Sequence, residues 1–487
     1  MARRPRATTC VPQRMLPFAT CLTCFTSFTS CCLTLRPLRT QPCLKPDVFN
    51  PTDLNAEDWM EASAAMGMRE IIITAHHEGG FALWPSKHTP YSVAASSWKG
   101  GKGDVLREFA DAANKWDIRI GYYLNVQDDG YMNLVANYTC DDFIKRQIGM
   151  VTEVLTEYGP VNRFWFDGTS SNPCANTTEL WDQVYETIRT VSPWTMITAY
   201  RGDVCAAANG QTLYTNDGPP PNSTDPSGCK PPNPEGMGKY FHPTEEHGIT
   251  MQEGPDGNTD DMPTYWFWHP TKGDPGAEHA TTPCAHNISG CPWVGHANAS
   301  RIFDSYLVTV GRGATLNMNI PPERTGRMNV SAAKTMAEAG KAINDTFHKN
   351  VGIIEAQSGA CKEGIAEITV DAGTEFDYVV SMEDLTKGAR FANYSIEFQR
   401  VGSPKWETLV PAVGPPPPDN QLGDRPDGHD PRDSHIGHKR IDLPVVPTSG
   451  AGALRIKAVR LNCLEAWEEP VFVRSFSLHK KTVPWSE

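Results

Sequence analysis

Two periodicities divide the chain. Apolar positions recur at helical spacing over residues 56–66, 104–116, 141–158, 179–191, 300–310 and 331–346. Short apolar runs lie between them, at 70–74, 118–125, 163–166, 195–199, 265–268 and 315–320. Strands that alternate with helices in this way predict parallel β-α units, with helices covering the sheet. The expected architecture is α/β, a (β/α)8-type, TIM-like barrel. A doubly wound open sheet is the alternative, and it is weakened because no Gly-rich phosphate fingerprint follows an early strand. Two irregular stretches rich in Pro, Gly and Asn, 209–261 and 272–297, interrupt the pattern. Long loops after barrel strands build the rim of a pocket.

Beyond residue 350 the period shortens to two. Residues 366–370, 376–382, 394–398, 439–442, 454–459 and 471–477 alternate apolar and polar side chains, with turn residues between, and predict a C-terminal β-sandwich. A Pro/Asp/Gly-rich loop occupies 414–435. The expected division is therefore a leader or targeting segment over 1–43, a barrel over 44–350 and a sandwich over 351–487. The leader reading rests on Arg3, Arg4 and Arg6 ahead of an apolar, Ser/Thr/Cys-rich run, which is the layout of a secretory signal or anchor. No later run is apolar enough to span a membrane.

Cysteines and sequons bear on compartment. Eight of the 14 cysteines follow the leader: Cys140, Cys174, Cys205, Cys229, Cys284, Cys291, Cys361 and Cys463. An even number without CxxC spacing predicts disulfides rather than zinc, with Cys361 and Cys463 a candidate pair inside the sandwich. Asn-x-Ser/Thr sequons occur at Asn137, Asn176, Asn222, Asn287, Asn298, Asn329, Asn344 and Asn393. Together they predict a glycoprotein of the secretory pathway, extracellular or vacuolar/lysosomal. A net charge of −13 argues against a nucleic-acid partner.

Candidate chemistry sits where apolar strands end in polar side chains, because parallel β-α folds place reactive groups there. One strand ends in His76-His77-Glu78; another, Phe164-Trp165-Phe166, ends in Asp167. On local sequence alone a turn or cap residue is the favoured reading of Asp167. Adjacent histidines on a strand point to opposite sides and no third ligand motif accompanies them, so no metal and no cofactor are expected.

The motifs, taken in order, resemble those of the family 29 α-L-fucosidases. His76-His77-Glu78-Gly79-Gly80-Phe81 with Leu83-Trp84-Pro85-Ser86-Lys87 is similar to the family signature. Tyr91-Ser92-Val93, Ser97-Trp98-Lys99, Gly101-Lys102-Gly103-Asp104-Val105 and Gly121-Tyr122-Tyr123-Leu124 continue it. Phe164-Trp165-Phe166-Asp167-Gly168 resembles the nucleophile strand. Trp266-Phe267-Trp268-His269-Pro270, Val310-Gly311-Arg312-Gly313 with Asn319-Ile320-Pro321-Pro322, and Ile436-Gly437-His438-Lys439-Arg440 resemble the branch acting on α-1,3/1,4-linked fucose. Three departures stand out. No His-Trp-Gly or His-Phe-Gly segment precedes Phe49. Glu78 replaces the family's Asp, with an extra Gly80. The Asn-Glu position reads Thr215-Asn216-Asp217-Gly218.

The resemblance implies a retaining exo-α-L-fucosidase that hydrolyses terminal fucose from a fucosylated oligosaccharide or glycoprotein. Such chemistry uses two carboxylates about 5–5.5 Å apart. Asp167 is the candidate nucleophile, and Asp217 or Glu245 the candidate acid/base. His76, His77 and Glu78 are expected to bind sugar hydroxyls. Trp84, Tyr123, Trp165 and Trp266 are expected to wall the sugar's methyl group. The departures leave two rivals: a catalytically impaired fucose-binding protein, and a same-fold hydrolase of another sugar.

Overall fold

The computed structural model describes residues 45–485, apart from 78, 127, 129–134, 136–137, 168–171, 176, 199–204, 208–243, 251, 254–294, 297, 314, 413–435 and 484; of 205–207, 244–250, 252–253 and 295–296 it describes the backbone only. The expected leader, Glu78, Asp217 and Trp266, and the predicted strand at 265–268, fall outside the described residues.

The chain opens with α1 (Ala56–Met66), β1 (Glu70–His76), α2 (Val105–Trp116), β2 (Arg119–Asn125), α3 (Cys140–Glu157), β3 (Val161–Asp167), α4 (Thr178–Val191) and β4 (Met196–Thr198). The helix starts are written in the sequence. Asn55, Asp104, Thr139 and Thr177 each accept a hydrogen bond from a first-turn backbone N–H, and Thr139 and Asp142 form a reciprocal capping box. Left-handed residues, Gly67 and Asp117, stop α1 and α2.

β1 to β4 form one parallel sheet in sequence order. Its register aligns Ile73, Tyr122, Phe164 and Ile197 in a buried row. Tyr122 faces the helices, since its hydroxyl donates to the Tyr158 carbonyl at the end of α3 (3.0 Å). The neighbouring row, Thr74, Tyr123, Trp165 and Thr198, therefore faces the barrel interior. A second parallel sheet joins β5 (Cys205–Ala207), β6 (Thr244–Thr250) and β9 (Thr315–Asn319), and a short antiparallel pair joins β7 (Gln252–Glu253) to β8 (Gly295–His296). α5 (Ala299–Val308) and α6 (Val330–Phe347) complete the helical layer, α6 packing on α1. The two sheets are arcs of a (β/α) barrel, as the sequence predicts. β6 lies within the stretch read as an irregular insertion.

The sandwich pairs an antiparallel sheet of β10 (Gly352–Gly359), β17 (Val471–His479), β12 (Tyr378–Glu383) and β15 (Arg440–Asp442) with another of β11 (Ala366–Thr369), β16 (Ile456–Ala466), β13 (Phe391–Arg400) and β14 (Trp406–Val410). Phe376, Phe391, Phe398, Leu461 and Phe476 fill the space between them. Disulfides join Cys361 to Cys463 and Cys140 to Cys174. Barrel and sandwich meet over Phe303, Phe347, Tyr378 and Ile441, and Ile441 N–H donates to the Gly311 carbonyl at 2.7 Å. Lys439 enters this junction, its amine donating to Tyr306 Oη (2.6 Å), and burial lowers its pKa to about 8.

Gly340 sits mid-helix in α6 where the helix crosses α1. A β-carbon there would overlap the Ala65 carbonyl oxygen and the Met66 α-carbon. Gly→Ala inside a helix ordinarily gains up to about 1 kcal/mol. Here overpacking of about 1–3 kcal/mol reverses the sign. Thermal denaturation of Gly340→Ala should show a lower Tm than wild type; a raised Tm would mean that the two helices separate without cost.

Candidate active site

β1, β2 and β3 end side by side, and their C-terminal residues make the site. Register pairs Asn125 with Asp167, so the carboxylate stands at the open end of the sheet, exposed to solvent. Tyr123 Oη donates to Asp167 Oδ2 at 2.7 Å, and Asn125 Nδ2 donates to the same phenol at 3.3 Å. The Tyr123 ring is the middle of a three-ring stack. His77 lies 5.6 Å away on one side (10° between planes) and Trp165 5.2 Å away on the other (15°). A carboxylate oriented by a phenol, beside a wall of flat rings, suits a ligand with polar hydroxyls and an apolar edge.

A register shift between Thr74 and His76 re-aims the end of β1. His76 turns inward and is fully buried, its Nε2 3.7 Å from Asp128 Oδ2. Burial, then the positive charge of Arg146, then His77, hold its pKa well below the usual imidazole range. His77 remains partly exposed; burial brings its pKa down to about 4, although the Asp167 carboxylate pushes it upward. Both rings are therefore neutral near pH 7 and act as hydrogen-bonding groups rather than cations.

The segment after β1, where the motif resemblance is densest, is mostly core. Phe81 packs on Phe49 (5.4 Å) and Tyr91 (5.0 Å), and Trp98 Nε1 donates to the Pro51 carbonyl (2.9 Å). Trp84 corrects the expectation of a sugar wall. Its indole is buried, and Nε1 donates to Glu153 Oε2 of α3 (3.0 Å), an oxygen that also accepts from Ser86 Oγ (2.7 Å). A ring enclosed in this way presents no face to a ligand.

Glu245 also departs from its expected place. It is the second residue of β6, in register with Ala206 and Thr315, rather than part of a loop. At about 3.3 Å per residue, five residues put it some 17 Å along the strand from Thr250. Asp167 lies at the opposite, C-terminal end of its own parallel strand. Of the other expected site residues, Tyr123, Trp165, His77 and Asp167 are brought together. Sequence reasoning missed Asn125, Asp128 and Arg146. Arg146 left a signal: it falls on the buried face of α3 among Phe143, Ile144 and Met150, a position that favours apolar residues.

The chain is similar to several known proteins. The sequence profile of the family described as Alpha-L-fucosidase matches residues 44–225. Alpha-L-fucosidase 1 of Arabidopsis thaliana is 26% identical over 403 residues, 75% of this chain and 72% of that protein. Among solved structures, a glycoside hydrolase 29 family member from an unknown rumen bacterium superposes with a TM-score of 0.65 at 24% identity, over 91% of this chain and 72% of that one. A glycoside hydrolase 29 fucosidase from Ruminococcus gnavus, solved in complex with fucose, gives 0.63 at 18% identity, over 90% and 88%. At these identities the structural likenesses are likenesses of fold.

The neutral state of His77 has a measurable consequence. Its folded pKa of about 4 lies below the ordinary value of 6.5, so between those values the unfolded chain binds a proton that the folded chain refuses. Stability contributed by this group is intact above pH 6.5 and falls as pH drops toward 4, by up to about 1.4 kcal/mol per unit. Urea unfolding between pH 7 and 4.5 should give a shallower pH slope for His77→Gln than for wild type. Parallel slopes would show that the imidazole is not held neutral.

Proposed function

The chain belongs to the α-L-fucosidase family of glycoside hydrolases, and from that premise we propose that it is a retaining exo-fucosidase acting on terminal α-1,3/1,4-linked fucose of glycans or glycoproteins. The observation that carries this reading is the Tyr123–Asp167 hydrogen bond at the edge of the ring stack. The phenol fixes one carboxylate oxygen, which sets the direction from which Asp167 attacks the anomeric carbon. Trp165 faces the apolar side of the sugar, neutral His77 bonds a hydroxyl, and Tyr123, held between their two rings, keeps its phenol on Asp167. His76, enclosed beneath them, supports His77 rather than touching substrate.

In this scheme Asp167 displaces the aglycone to form a glycosyl ester. A second carboxyl group protonates the departing oxygen and then takes a proton from the water that releases fucose. We assign that role to Asp217 rather than Glu245, because Glu245 sits at the entry end of β6, away from the face where Asp167 ends its strand. The branch reading rests on the motifs around Trp266, Val310 and Ile436. The two disulfides support a protein that matures in the secretory pathway and works outside the cytosol.

Two experiments check these roles. Asp167→Ala should fold normally and lose roughly a thousandfold or more in kcat, and the wild-type enzyme should release fucose with retained anomeric configuration by NMR. Activity within tenfold of wild type, or an inverted first product, would exclude the scheme. Asp217→Ala should lose activity steeply on Lewis-type oligosaccharides but little on fucosyl fluoride, whose leaving group departs unprotonated, and azide should rescue its second step. If Glu245→Ala shows that pattern instead, the acid/base assignment passes to Glu245.

A further inference from the structure

A buried ion pair lies against His76 at the end of β1. Asp128 is fully buried in the segment after β2, and Arg146 of α3 is 5% exposed. The Arg146 guanidinium bonds Asp128 Oδ2, Gln147 Nε2 donates to the same oxygen at 3.4 Å, and His76 Nε2 lies 3.7 Å from it. One carboxylate oxygen thus gathers a strand end and two residues of a helix. Burial lowers the Arg146 pKa to about 9, which still leaves it charged at neutral pH.

Packing alone does not call for this pair. The buried face of α3 is otherwise lined by Phe143, Ile144, Met150 and Val151, and an apolar pair of similar volume is often as stable as a buried ion pair. Asp128 also adopts a left-handed backbone (φ 50°), which is unfavourable outside glycine, though less so for Asp. What an apolar pair lacks is direction, and here the direction runs to His76. The next residue, His77, stacks on Tyr123, and Tyr123 holds Asp167.

We propose that Asp128 and Arg146 are positioning residues for the sugar-cleaving reaction, fixing the His76–His77 end of β1 against Tyr123 and so against the Asp167 carboxylate. This rests on the fucosidase reading for its kinetic consequence but not for its geometric one. Displacing a reacting group by about 1 Å costs on the order of a hundredfold in rate, so a loosened β1 end should register mainly in kcat.

The test compares Asp128→Asn, Arg146→Met and the double variant in the full chain. Each single variant strands one buried polar partner and should lower Tm. The double variant should regain most of the Tm yet stay about 10- to 100-fold below wild type in kcat, with the His77 ring resonances in histidine-labelled NMR spectra shifted from their wild-type positions. A double variant that recovers kcat along with Tm would reduce the pair to a structural role and overturn the proposal. So would unshifted His77 resonances in the folded double variant, whatever the activity. Should wild type cleave no fucoside, the functional reading fails by itself, and the His77 resonances still decide the positioning claim.

Discussion

The site depends on the register of three parallel strands. Because β1, β2 and β3 pair without offset at their interior rows, Tyr123 and Trp165 lie side by side, and Asn125 falls opposite Asp167. A one-residue slip of β2 would turn Tyr123 toward the helices and Tyr122 toward the barrel, breaking the stack and the hydrogen bond to the carboxylate together. Buried contacts on the other side prevent this. Tyr122 is anchored to the Tyr158 carbonyl, and Phe164 is fully enclosed. The placement of the Asp167 carboxylate thus originates in residues buried between the sheet and the helices. The shift after Thr74 is the single irregularity in the first strand pair, and it delivers two adjacent histidines to different environments, one sealed and one open.

Much of the fold was legible because it repeats simple periods. The six predicted helices agree with the observed ones to within about two residues, their starts marked by capping side chains. β6 was not legible. Its sequence, Thr-Glu-Glu-His-Gly-Ile-Thr, has one large apolar residue and is surrounded by Pro and Gly, so neither alternation nor an apolar run marks it. β10 escaped notice for a related reason: its residues are mostly exposed or half-exposed at a sheet edge, and burial imposes little pattern there. β16 runs past its apolar core, because Arg460 and Asn462 bond Glu397 and Ser395 of β13.

The site was legible in part. Asp167, His77, Tyr123 and Trp165 were all named from sequence, and they converge. The place of Trp84 is not legible, because an indole beside a polar strand end looks the same in sequence whether it lines a pocket or braces one; only its bond to Glu153 separates the cases. Asp128 has no motif to announce it, and its partner lies a helix away, so their meeting is a property of the fold alone. Lys439 at the domain junction is similar: its lowered pKa comes from the aromatic surroundings that α5 and α6 bring to it.

The Cys140–Cys174 bond joins residues 34 positions apart and closes a ring that contains all of α3 and all of β3. By the chain-entropy account, closing such a ring limits the unfolded ensemble by about 4 kcal/mol. It also has a topological effect. Arg146 and Asp167 lie inside the same covalent circle, so a protease that cuts once anywhere between the two cysteines opens the circle without releasing a piece. The nicked chain keeps its ion-pairing helix and its acidic strand end tethered to each other until the sulfur bridge is reduced. A first cut in this region would lengthen one connection rather than remove one wall of the cleft.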